Sequence, residues 1–509
     1  MTDTHPLADP AVVDALGADL RAAGYGIDAV FALLGAPVAA ALRRGLRWPA
    51  LRATADDPAP LATIVRLFEL GAAEPADRIE NAFPATGLPA LLSSGVLSAQ
   101  ADGSYCAALD IRPHTGAEPD FLVVADPDAG MRNGPVGHDH VLGVGGASMS
   151  LARAVIRQPV RTALDVGTGC GIQALHLSGH CEHIVATDTN PRALALAAAT
   201  ARLNGLSWDL RPGSLFEPVA GQRFDLIVSN PPFVVGSGAR DYIYRDSGIA
   251  GDGVCRALIE QVGDHLEPGG TAQIMANWVI RDGADWRLGV QEWLTATGLD
   301  AWVVQRELAD PVSYVALWTA DAGETPARRA ARGGAWLDWF EGNGITGVGM
   351  GLITLRAPRV GETRAPRRVF EELAGPDDVL TGAEVAAFLA RMDYLADTPD
   401  EELLAARLST APILLERHCL PGAEGWQQIS AVVRRPGGPG AVLGVDEVFT
   451  ALLAGCRGEV PLGTLIELLA AHHGVDADAL AAAALPEIRE AVARGILHPV
   501  VRARAQGPV

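Results

Sequence analysis

A glycine-rich stretch is the first part of the chain whose residue types suggest chemistry. Residues 164–171 read LDVGTGCG, an apolar strand pattern that runs into Gly167, Gly169 and Gly171 and then into a helical pattern. Glycines allow the backbone to turn tightly and to approach a ligand closely, and the first N–H groups of the following helix are free to bind it. The stretch therefore predicts a nucleotide-binding loop. Its spacing differs from the dinucleotide fingerprint G-x-G-x-x-G, which argues against NAD.

An acidic residue ends the next predicted strand. Asp188 follows Ala186 and Thr187, shortly before a helical pattern that begins near Pro191. A carboxylate at this place can accept hydrogen bonds from both ribose hydroxyls of a bound nucleoside, whether adenosylmethionine or NAD. The alternative is that Asp188 only caps the helix, which has a proline in its first turn as helices prefer. We predict the ribose contact, because the glycine loop lies at the right distance before it.

A third motif, FDLIVSNPPF (residues 224–233), has a chemical logic of its own. An amide or aniline-like nitrogen is a poor nucleophile, because its lone pair is delocalised into the adjacent π system. If the Asn230 side-chain oxygen and the Pro231 carbonyl accept its two N–H groups, the lone pair is directed at an electrophile, and such orientation lowers a barrier by several kcal/mol. Phe233 would stack on the planar group. The alternative is a strand-ending turn that happens to read N-P-P.

These three motifs together resemble the class I S-adenosylmethionine-dependent methyltransferases, and specifically the small-domain group with an N-P-P-[FY] motif. That group includes HemK-type protein glutamine methyltransferases, RsmC-type ribosomal RNA guanine methyltransferases and methyltransferases of the adenine amino group. The resemblance covers the central part of the chain only. It implies a Rossmann-like sheet and S-adenosyl-L-methionine as the cofactor.

The resemblance also implies roles for individual residues. Asp165 would organise the glycine loop around the methionine part, Asp188 would hold the ribose, and Ser214 would lie beside the adenine, where HemK-type proteins often have an aspartate. The implied cofactor-binding residues are Asp165, Gly167, Thr168, Gly169, Gly171, Asp188, Asn190, Ser214, Leu215 and Asn230. The implied catalytic residues are Asn230, Pro231 and Phe233, and the implied substrate-binding residues are Pro232, Tyr244 and Arg245.

A histidine-rich stretch raises the question of a metal. His176, His180, Cys181 and His183 have a spacing that zinc ligands can show. They fall where a helix ends and a strand begins, and no second ligand cluster accompanies them, so we predict no metal site. The loop at residues 138–140 (HDH) is likewise predicted to be an ordinary loop, lying near the mouth of the cofactor site.

The elements that would position these motifs alternate between strands and helices. Continuous apolar strands separated by helices predict a parallel, doubly wound sheet with both faces covered. The predicted strands are TALDVGTG, HIVATD, FDLIVSN, TAQIMANWVI, DAWVVQREL and SYVALWTA. We predict an N-terminal helical, winged-helix-like module (1–125), a methyltransferase domain (126–356) and a C-terminal accessory module (357–509) that is helical with a short hairpin near residues 437–440.

Composition narrows the class of protein. The 509 residues carry 40 basic and 61 acidic side chains, a net charge of −21, and no basic side chain is a lysine. Phosphate-loop and Schiff-base lysines are therefore excluded. An acidic chain repels bulk nucleic acid and anionic membrane. The cysteines form no C-x-x-C pair, the N-terminus is unlike a signal peptide, and no stretch reads as a membrane span, which predicts a cytoplasmic location.

The sequence as a whole predicts an S-adenosylmethionine-dependent N-methyltransferase that acts on a planar nitrogen of a macromolecule. A protein glutamine amide, for instance in a translation factor, is favoured because the acidic chain discourages wide RNA contact. The alternative is an exocyclic amino group of guanine or adenine in RNA or DNA. An alternative of another class is a non-catalytic cofactor-binding scaffold, against which the intact Asp165, Asp188 and Asn230 argue.

Overall fold

A computed structural model describes most of the chain. The described residues are 5–116, 120–128, 131, 136–239, 243–244, 246–320, 325–373, 375, 378–423, 425–439 and 442–500. The chain divides into two compact units, the first made of Met1–Ala152 and Arg157–Phe370, the second of Arg153–Ile156 and Glu371–Val509. The first unit thus contains both the predicted N-terminal module and nearly all of the predicted methyltransferase domain.

The N-terminal part of the first unit is mainly helical. Its elements are α1 (Pro10–Ala22), α2 (Ile27–Leu34), α3 (Ala36–Arg43), α4 (Trp48–Thr54), α5 (Pro60–Phe68), α6 (Ala76–Ala82), α7 (Leu88–Ser93), β1 (Leu97–Ala99), β2 (Tyr105–Ala107), β3 (Asp110–His114) and β4 (Phe121–Ala125). Proline in the first turn starts several of these helices, where its missing N–H has no partner to lose. The hairpins β1–β2 and β3–β4 are antiparallel. The winged-helix-like character of this part remains a prediction.

The rest of the first unit is a sheet flanked by helices. Its elements are α8 (Gly146–Ala154), β5 (Val160–Val166), α9 (Ile172–Leu177), β6 (Cys181–Asp188), α10 (Pro191–Leu203), β7 (Asp209–Pro212), β8 (Phe224–Ser229), α11 (Gly253–Gln261), β9 (Leu266–Arg281), α12 (Trp286–Leu294), β10 (Asp300–Ala309), α13 (Pro311–Ala320), α14 (Pro326–Gly342), β11 (Ile345–Arg356) and β12 (Arg368–Glu372). The strand order is β12-β10-β11-β9-β8-β5-β6-β7.

The order of the strands reverses at β5. This strand pairs in parallel with β6 on one side and with β8 on the other, and β6–β7 and β8–β9 are also parallel. The prediction of a doubly wound, Rossmann-like sheet is confirmed. In such a sheet the crevice outside the carboxyl ends of the strands at the reversal is the place where ligands bind.

The sequence predicts that all strands of the sheet are parallel, and this is wrong for one half of it. In that half, β11 pairs antiparallel with both β9 and β10. β11 itself, with the sequence ITGVGMGLITLR, was not predicted as a strand. Its glycines are required by packing: a Cβ at Gly349 would lie 2.1 Å from Trp278 Nε1, and one at Gly351 would lie 2.1 Å from the Val304 carbonyl oxygen. The fully buried Trp278 ring takes the space that side chains would otherwise fill.

One predicted strand is wrong: SYVALWTA belongs to helix α13. Asp310 precedes the helix and its carboxylate accepts hydrogen bonds from the backbone N–H groups of Val312 and Ser313, both at 2.9 Å. Pro311 occupies the first helical position. An aspartate followed by proline is a helix-start signal, and the apolar run after it is long enough for a helix. α13 and α14 therefore form an insertion between the antiparallel strands β10 and β11.

The second unit combines helices with small antiparallel sheets. Its elements are α15 (Gly382–Asp397), α16 (Asp400–Ala405), β13 (Arg407–Thr410), β14 (Leu414–Gly422), β15 (Gly425–Arg434), β16 (Val442–Gly444), α17 (Glu447–Gly455), β17 (Arg457–Pro461), α18 (Leu462–His473), α19 (Ala477–Ala493) and β18 (Leu497–Pro499). One sheet has the order β17-β13-β18 and the other β14-β15-β16. Leu403, Leu452, Ile466, Ile488 and Leu497 are among the side chains of its core. No helix in the described parts of either unit has the length and apolar character needed to cross a membrane.

Candidate active site

Three strand ends meet at one edge of the sheet. β5, β6 and β8 are neighbouring parallel strands, so the glycine loop after β5, Asp188 at the end of β6 and Asn230 after β8 lie side by side. Together they border a cavity of about 350 Å³. The predicted residues that line it are Gly167, Thr168, Gly169, Asp188, Asn190, Ser214, Leu215, Asn230, Pro231, Pro232, Phe233 and Tyr244. The predicted substrate contact Arg245 lies outside the described residues.

The three glycines of the loop have two different roles. All three have positive φ, +75° at Gly167, +56° at Gly169 and +85° at Gly171. A Cβ at either of the first two would meet no atom within 4 Å, whereas a Cβ at Gly171 would lie 2.6 Å from the ring of Trp208. Gly167 and Gly169 thus leave open space beside the cavity. Gly171 instead allows the loop to pack against Trp208.

Asp165 supports the loop from behind. Its Oδ2 accepts hydrogen bonds from Thr168 Oγ1 at 2.7 Å and from the Ala174 N–H at 3.1 Å. The carboxyl group therefore joins β5 to the loop and to α9. Complete burial raises the pKa of Asp165 to about 7. Its Oδ1 has no hydrogen-bond partner among the described residues.

Asp188 holds the backbone of two loops. Its Oδ2 accepts from the Gly169 N–H at 2.9 Å and its Oδ1 from the Asn190 N–H at 2.8 Å. Burial raises the pKa of this carboxyl, while these N–H groups partly counteract the rise. A carboxylate oxygen can accept more than one donor, so each oxygen keeps capacity for a ligand hydroxyl.

Helix α10 is capped by Asn190 and not by Asp188. The Asn190 side-chain oxygen accepts from the Arg192 N–H at 3.0 Å, and its Nδ2 donates to the Asp139 carbonyl at 2.8 Å. The alternative interpretation of Asp188 as the cap of this helix is therefore wrong. Asn190 lines the cavity, but both ends of its amide are already used by the protein. Its predicted contact with a cofactor stays a prediction.

The segment after β7 has a strained backbone beside the cavity. Leu215 has a φ of +49°, in the left-handed region that branched side chains rarely adopt. Gly213, with a φ of +148°, packs so closely that a Cβ would lie 2.5 Å from the Pro218 ring. Its N–H donates to the Asp188 carbonyl oxygen at 3.0 Å. Strain of this kind persists where the surrounding structure fixes it and is common at ligand sites. Ser214 is exposed beside Leu215.

Asn230 presents a carboxamide with one end bound. Its Nδ2 donates to Ser148 Oγ at 3.1 Å. Its Oδ1 is buried and has no hydrogen-bond partner within the described part of the chain. The Pro231 carbonyl accepts the Phe233 N–H at 2.7 Å, so one of its two lone pairs is used.

Aromatic side chains form one wall of the cavity. Phe233 packs edge-on against Trp318 of α13, with ring centroids 6.0 Å apart and an interplanar angle of 72°. The α13–α14 insertion is tied to the segment after Phe233, because Val235 donates its N–H to Tyr314 Oη at 2.9 Å and accepts from Trp336 Nε1 at 3.0 Å. Trp318 lines the cavity. Sequence reasoning missed it, because this segment was predicted as a strand.

The loop at 138–140 does reach the cavity. His140 is 3% exposed and lines it, with its ring centroid 5.7 Å from that of Tyr244.

The histidine-rich stretch at residues 176–183 does not line the cavity. His176 Nε2 is 2.9 Å from His114 Nε2, and burial together with His114 lowers the pKa of His176 to about 4. Within the described ranges, no three His, Cys, Asp or Glu side chains are grouped as a metal site would need.

The crevice at the sheet reversal is bounded by a glycine loop, an acidic strand end and an Asn-Pro-Pro turn, and it is the ligand-binding crevice of a Rossmann-like sheet. Residues 143–282 match the family model described as methyltransferase small domain. Residues 22–108 and 386–499 match models described as domains of unknown function, DUF7059 and DUF7782.

Curated relatives match a part of the chain. The chain is 38% identical over 130 residues to a release factor glutamine methyltransferase of Geobacter sulfurreducens, a match covering 23% of this chain and 46% of the relative. It is 36% identical over 130 residues to the ribosomal RNA small subunit methyltransferase C of Pasteurella multocida, covering 25% of this chain and 36% of the relative. The chain thus spans about half or less of the length of these relatives.

A solved structure resembles this chain only distantly. It is the N-methyltransferase NodS from Bradyrhizobium japonicum in complex with S-adenosyl-L-homocysteine. The sequences are 19% identical, and the match covers 40% of this chain and 80% of that chain with a TM-score of 0.22. This score is too low to support a conclusion about the site.

Proposed function

We propose that this chain is an S-adenosylmethionine-dependent N-methyltransferase whose acceptor is a planar nitrogen, most specifically a protein glutamine amide. One observation carries the proposal. The Oδ1 of Asn230 is buried and has no hydrogen-bond partner among the described residues, and Asn230 lines the same cavity as the glycine loop and Asp188. A buried acceptor without a donor is unfavourable by about 1–3 kcal/mol. An N–H group of a bound acceptor would remove that penalty.

The residues present fit the proposed cofactor. Gly167 and Gly169 leave open space at the loop, Asp188 has acceptor capacity left for ribose hydroxyls, and Leu215 offers an apolar side chain beside the cavity. These residues would hold S-adenosylmethionine. When bound, this group supplies a methyl carbon on a positively charged sulfonium, which is the electrophile of the reaction.

The acceptor nitrogen would be oriented by neutral groups. Asn230 Oδ1 accepts one of its N–H hydrogens, and the remaining lone pair of the Pro231 carbonyl accepts the other. With both hydrogens held, the nitrogen lone pair is fixed in one direction, and such orientation contributes several kcal/mol. Phe233 and Trp318 contact the flat faces or edges of the acceptor group.

The choice of a glutamine amide has support from charge and from the relatives. The net charge of −21 is unfavourable for wide contact with RNA phosphates. A relative matched at 38% identity is named for the release factor glutamine it methylates. The second candidate acceptor is a nucleobase amino group. It is favoured by Phe233, which stands where tyrosine is the alternative in the motif, and by the relative named for ribosomal RNA. A macromolecular acceptor and a cytoplasmic location belong to the same proposal.

The experiment combines labelled S-adenosylmethionine with two candidate acceptors, a bacterial release factor and ribosomal RNA, and follows which one gains label. Protease-sensitive label supports the glutamine amide, and nuclease-sensitive label supports the nucleobase. An Asn230→Ala variant should reduce the transfer to a small residual rate and keep its affinity for S-adenosylhomocysteine. Binding of S-adenosylhomocysteine without transfer to either acceptor or to a cell lysate would support the non-catalytic scaffold.

A further inference from the structure

Ser148 of helix α8 contacts two carboxamides that line the cavity. Its Oγ accepts from Asn230 Nδ2 at 3.1 Å, and its carbonyl oxygen accepts from Gln173 Nε2 at 2.8 Å. Ser148 is 8% exposed and lines the cavity with both of them. None of the three motifs contains Ser148 or Gln173, and the contact between Ser148 and Asn230 spans 82 positions of the chain.

The bond to Ser148 engages the nitrogen end of the Asn230 amide and leaves the oxygen end at the cavity. An asparagine amide carries donors on its nitrogen and acceptors on its oxygen, and a rotation of the group exchanges the two ends. With Nδ2 donating to Ser148 Oγ, one of its two hydrogens is engaged and Oδ1 is left as the acceptor. The opposite orientation would leave an NH₂ group for the acceptor nitrogen, and two donors would then face each other.

Gln173 holds the backbone of Ser148 in turn. This residue is 3% exposed and lies in the first turn of α9, directly after the glycine loop. Its bond to the Ser148 carbonyl ties α8 to α9. Two hydrogen bonds thus connect the helix that follows the glycine loop with the amide at the end of β8. Among the described residues, Gln173 Oε1 has no partner of its own.

We propose that Ser148 is a positioning residue that orients the Asn230 carboxamide, with its oxygen toward the acceptor nitrogen, and that Gln173 fixes Ser148 in place. This inference rests on the proposed function. It adds a residue that acts through Asn230 without touching the reacting atoms. The effect should therefore fall on the rate of transfer and leave the affinity for the cofactor product nearly unchanged.

The test compares Ser148→Ala with Ser148→Thr, which keeps an Oγ atom, and with Ser150→Ala. Ser150 is in the same helix, and its Oγ bonds only locally to the Gly146 carbonyl. Removing one orienting hydrogen bond should lower kcat about tenfold in Ser148→Ala, with recovery in Ser148→Thr and no loss in Ser150→Ala. The affinity for S-adenosylhomocysteine, measured by calorimetry, should change by less than about twofold in each.

A double variant separates positioning from a general structural role. Because Ser148 acts through Asn230, Ser148→Ala should lower the rate no further in an Asn230→Ala background, whereas independent effects would multiply. Equal kcat values for Ser148→Ala and Ser150→Ala, or multiplying effects in the double variant, would overturn the inference while leaving the proposed function intact. If the wild type transfers no label, the proposed function fails. In that case the urea unfolding midpoints of the two single variants and the double variant test whether Ser148 and Asn230 are coupled. If the two single shifts add up to the shift of the double variant, the inference is overturned, and if they do not, it is supported.

Discussion

Replacing Asp188 with asparagine should weaken cofactor binding through the loss of one charged acceptor. The two carboxylate oxygens accept separate backbone N–H groups, from Gly169 and from Asn190. Asparagine keeps the size of the side chain but has a single acceptor oxygen, so its NH₂ group must face one of these two N–H donors. The variant therefore disturbs the glycine loop as well as the proposed contact with the ribose.

The size of the effect follows from these bonds. A hydrogen bond to a charged group contributes about 1.5–3 kcal/mol, and we expect a net loss of about 2–3 kcal/mol, which is roughly a 30- to 150-fold increase in Kd. Calorimetry with S-adenosylhomocysteine measures this directly. The matched control is Asp209→Asn, because Asp209 is an exposed residue of β7 that pairs with Arg211 at the surface. The control should bind as the wild type does.

The pH dependence gives a second readout of the same variant. Burial raises the pKa of Asp188, and the ionised form is the one that can accept both backbone donors and ribose hydroxyls. The affinity of the wild type should therefore fall as the pH is lowered through this raised pKa, and the asparagine variant should lack that dependence. A Kd within about threefold of the wild type at neutral pH would refute the role of Asp188 in binding.

Further predictions concern the loop, its support and the aromatic wall. The pKa of Asp165 in the folded protein is about 7, above its ordinary value of 3.8, so the folded state favours the protonated carboxyl. The free energy of unfolding of the wild type should therefore fall as the pH rises from about 5 to about 8, by up to about 3 kcal/mol relative to Asp165→Asn. Urea unfolding at a series of pH values measures this difference. Gly171→Ala should destabilise the protein and weaken S-adenosylhomocysteine binding, because its Cβ would clash with Trp208, whereas Gly205→Ala, where nothing lies within 4 Å, should have only the conformational effect of about 1 kcal/mol. Trp318→Ala should raise the KM for the acceptor severalfold at unchanged S-adenosylhomocysteine affinity; an unchanged KM would remove α13 from the acceptor side.

The crevice at the ends of β5, β6 and β8 could be predicted from the sequence because each of its borders is a local motif. Strands β5, β6 and β8 are continuous apolar runs, and the residues that follow each strand form the crevice. Parallel pairing brings these ends together without any further information. The structure excludes the alternative interpretation of Asp188 as a helix cap, because Asn190 caps α10.

The antiparallel half of the sheet was harder to predict for physical reasons. β11 contains Gly347, Gly349 and Gly351, which lower strand propensity, and the partner that requires two of them, Trp278, is far away in the sequence. SYVALWTA has the β-branched and aromatic residues of a strand but folds as α13, because the capping bonds of Asp310 start a helix there. Tertiary packing and capping thus outweighed propensity in both segments.

The proposed acceptor side is built from residues that come from distant parts of the chain. Ser148 reaches Asn230 from α8, and Trp318 reaches Phe233 from the insertion between β10 and β11. The match to the family model ends at residue 282, so the insertion lies outside it. The glycine loop and Asp188 lie inside it. We therefore expect the proposed acceptor preference to depend on α13 and α14, so that substitutions in this insertion change acceptor choice and leave cofactor affinity nearly unchanged.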